Sequence, residues 1–133
     1  WQEALDMTSL LFNELVAAAA RCTDAGLRAE LAGFLPEVAT CAGPGDMAVL
    51  EERFQDLLFR MVDRPLFEVL TRVTLGFAAS RPSDMLERAV LGVDRWIAGR
   101  QRIIAAILDG DAELARFEAN RQNRQVLLGG RGA

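Results

Sequence analysis

The sequence predicts an all-α fold, an antiparallel bundle of about six helices, and three observations carry that expectation. Apolar residues recur at helical spacing through nearly all of the 133 residues. No alternation of polar and apolar residues runs long enough to make a useful strand. Capping residues, glycines and prolines divide the helical pattern at short intervals, so the loops are short. No internal repeat or low-complexity segment interrupts this pattern. The length suits one domain that buries roughly two-thirds of its unfolded surface. That domain is assigned to residues 1–128; the last five residues, GGRGA at 129–133, have too little apolar content to be held and should fray.

The first helix covers residues 3 to 22, where Leu5, Leu11, Phe12, Leu15, Val16 and Ala19 share a face and an alanine run favours helix and close packing. Thr23 or Asp24 can cap the second, whose stripe is Leu27, Leu31, Phe34, Leu35 and Val38. Pro36 falls inside it and predicts a kink near Gly33 or an early end, because proline removes a donor and clashes with the preceding turn. Residues 41 to 45, CAGPG, form the strongest break, after which Asp46 stands in capping position for a helix from Met47 to Val62.

Residues 52 to 77 organise the rest. Phe54, Leu57, Leu58, Met61 and Val62 recur at helical spacing, Asp63-Arg64-Pro65 interrupts, and Leu66, Val69, Leu70 and Val73 resume the period. The expectation is an antiparallel pair that buries one stripe against the other, with Asp63 capping the second helix and Pro65 in its first turn. Arg81-Pro82-Ser83 opens a long helix to Leu108, with Ser83 and Glu87 in a loose capping arrangement and Met85, Leu86, Val90, Val93, Ile97, Ile104 and Ile107 on its inner face. Gly110 can take the left-handed conformation that ends it, and Asp111 can cap a last helix from about Ala112 to Leu128.

Hydrophobic residues make up 51% of the chain and charged residues 26%, which excludes the disordered and fibrous classes. No run reaches the roughly 20 apolar residues of a membrane span, and the first residues show no basic segment followed by an apolar stretch. A soluble cytoplasmic protein is expected. The chain opens on Trp1 rather than Met, so a segment upstream is expected too. The net charge is −4 and all 15 basic residues are Arg, a balance that argues against direct binding of nucleic acid. Cys22 and Cys41, without His or CxxC spacing, read as buried free thiols rather than a zinc site or a disulfide. With no His and no Tyr, the commonest general acid-base groups are missing, and no enzyme is expected.

Polar residues on an apolar stripe are the informative ones, because burying them unpaired costs roughly 1 to 3 kcal/mol each. Gln55 lies on the face of Leu58, Phe59 and Val62; Arg100 lies between Ile97 and Ile104; Gln122 lies between Ala115 and Val126. All three point inward. A buried guanidinium needs an internal Asp or Glu, or an acidic ligand. Arg21, Arg28, Arg60, Arg95, Arg116 and Arg121 read as a solvated surface, and Trp96, Phe34, Phe59 and Phe77 as core or pocket wall. Asp109 and Asp111, flanking Gly110, read as caps rather than a catalytic pair.

Two stretches carry a family resemblance: residues 52 to 70, ERFQDLLFRMVDRPLFEVL, and residues 103 to 122, IIAAILDGDAELARFEANRQ. With the helix order, the chain resembles the C-terminal effector-binding domain of GntR-family bacterial transcription regulators of the FadR subfamily. Many members hold a divalent metal with three histidines, and the resemblance puts those positions at Gln55, Arg100 and Gln122. Gln is a poor ligand for a transition metal and Arg is none, so no metal or other cofactor is expected. The acidic ligand from the first helix would correspond to Asn13 or Ser9. The resemblance further implies a winged helix-turn-helix outside this chain, through which alone DNA would be bound, and a homodimer.

The leading expectation is a domain that binds a small acidic metabolite or an acyl-CoA thioester in its interior and passes its occupancy to that DNA-binding domain. Arg100 would fix the ligand's acid group, with Gln55, Gln122 and Asn13 beside it and Phe59 and Trp96 as apolar wall. Two other classes compete: a dimerisation or adaptor module with a dry core, in which Arg100 pairs with an internal carboxylate, and a small helical enzyme acting on an anionic substrate.

Overall fold

The computed structural model describes the backbone of residues 2–79 and 82–129, and the side chains of residues 3, 6–76 and 92–124. Six helices follow one another: α1 (Gln2–Ala20), α2 (Ala25–Ala39), α3 (Pro44–Val62), α4 (Pro65–Ala79), α5 (Pro82–Leu108) and α6 (Ala112–Gly129). The described residues include no strand. The apolar period explains the arrangement: α1 packs against α3, α4, α5 and α6, and α5 against α2, α3 and α6. The core between them holds Phe12, Leu15 and Val16 of α1, Leu31 and Val38 of α2, Phe54 and Leu58 of α3, and Ile103, Ile104 and Ile107 of α5. Ala115 and Ala119 bring α6 in close. Among the described residues no helix is long and apolar enough to cross a membrane.

The joints are built by local chemistry. Asp24 caps α2, its Oδ1 accepting from the Leu27 N–H at 3.0 Å. Pro36 does not end α2, which continues to Ala39. Pro36 and Ala32, whose carbonyl loses its helical donor, are both exposed, so water can serve that carbonyl. α3 starts earlier than its sequence suggests, with Gly43 as N-cap and Pro44 in the first turn. Asp46 is therefore inside the helix and reaches back, accepting from the Ala42 N–H at 3.2 Å. Asp63 likewise ends α3 rather than capping α4: it is the C-cap in the left-handed region, at φ 49°, and its N–H donates to the Phe59 carbonyl at 3.0 Å.

At the end of α5, Gly110 has φ 71° and donates to Ile107 O at 3.0 Å, while Asp111 donates to Ala106 O at 3.1 Å. This closing motif needs a residue free to enter the left-handed region. The next carbonyls go to Arg28, whose Nη1 donates to Ile107 O at 3.4 Å and to Cys22 O at 3.2 Å, and whose Nη2 donates to Leu108 O. Arg28 is thus not part of the solvated surface. One guanidinium serves the carbonyl ends of α1 and α5, where helix dipoles favour a cation. Asp111 then caps α6 through the Leu114 N–H at 3.0 Å. α5 begins at Pro82, one residue before Ser83; the side chains of Leu5, Phe77, Ser83, Met85, Leu86, Glu87 and Val90, and residues 1 and 130–133, lie outside those described.

The helix pair departs from expectation. The stripe of α3 is buried, with Phe54 and Leu58 at 0% exposure, but Leu66, Val69, Leu70 and Val73 of α4 are 84%, 60%, 50% and 67% exposed. α4 lies against α1 with its other face, where Thr71 is fully buried and its Oγ1 donates to the Phe67 carbonyl at 2.7 Å. A threonine that bonds its own preceding turn carries no unmet polar cost inward. Arg72 spans the gap to α3, pairing with Asp56 at 2.8 Å.

Candidate functional site: a carboxylate among four donors

α3 and α5 each present two polar residues one turn apart on their inner faces, Glu51 and Gln55 on one, Trp96 and Arg100 on the other. They meet on a single carboxylate. Arg100 Nε donates to Glu51 Oε2 at 2.8 Å and Arg100 Nη2 to Oε1 at 2.7 Å, a two-point guanidinium–carboxylate pair. Trp96 Nε1 adds a bond to Oε2 at 3.1 Å, and Gln55 Nε2 one to Oε1 at 3.0 Å. Each oxygen of Glu51 thus accepts twice.

Arg100 is held independently of Glu51. Its Nη1 donates to Gln122 Oε1 from α6, and Gln122 Nε2 donates in turn to the Trp96 carbonyl at 3.2 Å. Its guanidinium carbon lies 4.7 Å from the centre of the Phe12 ring, 5.5 Å from Phe54 and 5.9 Å from Trp96. Gly99 makes room for the amide: a Cβ there would overlap Gln122. Among the described residues every buried side-chain nitrogen and oxygen has a partner. Burial works to raise the Glu51 pKa, but the charge of Arg100 and the bonds from Arg100, Gln55 and Trp96 outweigh it and hold the carboxyl below its ordinary range.

The cluster brings together four of the residues singled out by helical phase or likeness: Arg100, Gln55, Gln122 and Trp96. The others lie elsewhere. Asn13 is buried between α1 and α6, accepting from Asn123 at 3.2 Å and donating to Asn120 at 3.4 Å. Ser9 is half-buried one turn before it. Phe59 is core, with Arg72 4.5 Å over its ring. Glu51 is the residue that sequence reasoning missed, although Glu51, Phe54, Gln55 and Leu58 stand at i, i+3, i+4 and i+7, the spacing that singled out Gln55.

Several other charges pair nearer the surface. Arg53 pairs with Glu37 at 2.9 Å and Arg60 with Glu30 at 2.8 Å; Arg116 lies between Glu14 at 2.9 Å and Glu113 at 2.5 Å. Such exposed pairs contribute little to stability. Cys22 and Cys41 are free and half-buried. Among the described residues no three His, Cys, Asp or Glu side chains converge in a way that could hold a metal ion. The cluster offers fixed donors, one carboxylate and aromatic walls. No family model, curated protein or solved structure matches the chain.

Proposed function

We propose that this chain is a helical interaction domain that pairs with a second copy of itself through α4 and carries out no catalysis. The observation that supports this is the exposed stripe of Leu66, Val69, Leu70 and Val73. Four large apolar side chains at i, i+3, i+4 and i+7 form a seam on one face of a helix. An antiparallel copy turned about the midpoint of Val69 and Leu70 would set Leu66 against Val73 and Val69 against Leu70, each large side chain opposite a smaller one. A two-fold contact uses one patch twice, so such self-complementarity suits it. Among the described residues the buried polar atoms are already partnered, which supports a domain that works through its surface. Light scattering across the micromolar range tests this. A dimer should form, and Leu70→Glu should give a folded monomer; a wild-type monomer at every concentration, or a Leu70→Glu dimer, overturns it.

A second reading is supported by the convergence of four donors on one carboxylate. In it the chain is the sensing domain of a GntR-family regulator, taking a small acidic metabolite or acyl thioester at Arg100 and controlling DNA binding by a domain elsewhere. Ligand and DNA would be coupled by typically 1 to 3 kcal/mol. The acid group would have to take the place that Glu51 occupies.

A further inference from the structure

We propose that Glu51 is an internal counter-ligand: the donors of Arg100, Trp96 and Gln55 form a receptor for a short-chain monocarboxylate, and the chain's own side chain fills it until a free acid displaces it. This rests on the second reading above, that the cluster is a binding site, and adds how the site is regulated.

The receptor and its occupant are held differently. Arg100 keeps its place without Glu51, through Gln122 on Nη1 and the rings of Phe12, Phe54 and Trp96 around the guanidinium. Gln122 is itself anchored on the Trp96 carbonyl and seated on Gly99. Removing the carboxylate would leave the Arg100 donors aimed at the same point. Glu51 is less enclosed: its carboxylate is held by the bonds from Arg100, Trp96 and Gln55, and its side chain is 22% exposed against 10% for Arg100. On this proposal, the carboxylate leaves the cluster by rotation about its side-chain bonds only when the free acid takes its place.

The shape of the receptor selects the ligand. Two donors on each of two oxygens, with the guanidinium supplying one to each, match a planar carboxylate. The rings of Phe12 and Phe54 beside the guanidinium favour an acid with a short apolar body, such as propionate. A tethered carboxylate competes at an effective concentration of millimolar or above, so a free acid binds the wild-type chain weakly and the chain without Glu51 strongly.

The test follows the Trp96 indole N–H by NMR while propionate is added at constant ionic strength, with chloride as control, to the wild-type chain, Glu51→Ala and Glu51→Ala/Arg100→Met. The expected result is a propionate-dependent shift in the first two, with a Kd about tenfold or more lower in Glu51→Ala, and none in the double variant. Equal Kd values in wild type and Glu51→Ala would overturn the counter-ligand while leaving the cluster a binding site. No shift in either would overturn both. Glu51→Gln keeps the side chain's size without its charge and replaces Glu51→Ala in the same comparison should the latter not fold.

Discussion

α3 and α4 come from one continuous stretch of apolar period, yet they use it in opposite ways. Phe54 and Leu58 of α3 are shut inside the bundle, whereas Leu66 and Val73 of α4 are more than half exposed. Between them stands Asp63, whose left-handed backbone sets the direction in which α4 leaves. α4 then meets α1 with Thr71 inward, and its more apolar face turns outward. An apolar stripe therefore says that something should cover a face. It does not say that the cover belongs to the same chain.

Truncation on each helix gives the largest effect and the sharpest form of this contrast. Phe54→Ala should cost about 3 to 5 kcal/mol in urea unfolding, since it empties a filled position beside Phe34, whose ring centre is 6.0 Å away. Val69→Ala should change monomer stability by no more than about 0.5 kcal/mol and act instead on association. A loss of several kcal/mol from Val69→Ala in the monomer would show that α4 is seated with its stripe inward.

The same contrast holds for charge. Arg100 and Glu51 are paired inside, whereas Arg60 and Glu30 pair at 58% and 51% side-chain exposure. Arg100→Met leaves a desolvated carboxylate without its partner and should cost about 3 kcal/mol, while Arg100→Met with Glu51→Leu should recover most of that. Arg60→Ala should cost well under about 1 kcal/mol. Because the Glu51 carboxyl lies below its ordinary value of 4.5, its contribution is complete above that pH and fades as pH falls through the folded-state value. Glu51→Gln should therefore be less stable than wild type at pH 7, and the two should converge in acid. Parallel stability curves down to low pH would mean that the pair does not stabilise the fold.

Gly99→Ala probes the support of the cluster through two opposed effects. Alanine favours helix by about 1 kcal/mol over glycine, but its methyl group displaces Gln122 from Arg100 and from the Trp96 carbonyl, two bonds of about 1 kcal/mol each. A net loss of about 1 kcal/mol is expected in thermal unfolding, and a gain would show that the Gln122 bonds contribute little.

Much of the fold was legible because its signals are local. Asp24 and Asp111 cap as side chains with one short-range partner each, and Gly110 ends α5 because few other residues enter its conformation easily. Even the inward turn of Arg100, Gln55 and Gln122 follows from counting along a helix. Asp46 and Asp63 misled because an aspartate can serve several nearby backbone groups, and which one it meets depends on where the neighbouring helix begins or ends.

What sequence by itself determined is a set of six helices, most of their joints and the inward turn of Arg100, Gln55 and Gln122, because these depend on contacts within a few residues. Only the tertiary structure decided that Glu51 completes the Arg100 cluster 49 residues away, that Arg28 serves two helix ends, and that α4 presents its apolar stripe outward. Those outcomes depend on how helices approach one another in space. Two helices of the same period can meet on either face, and the choice is made by the packing of all their neighbours at once.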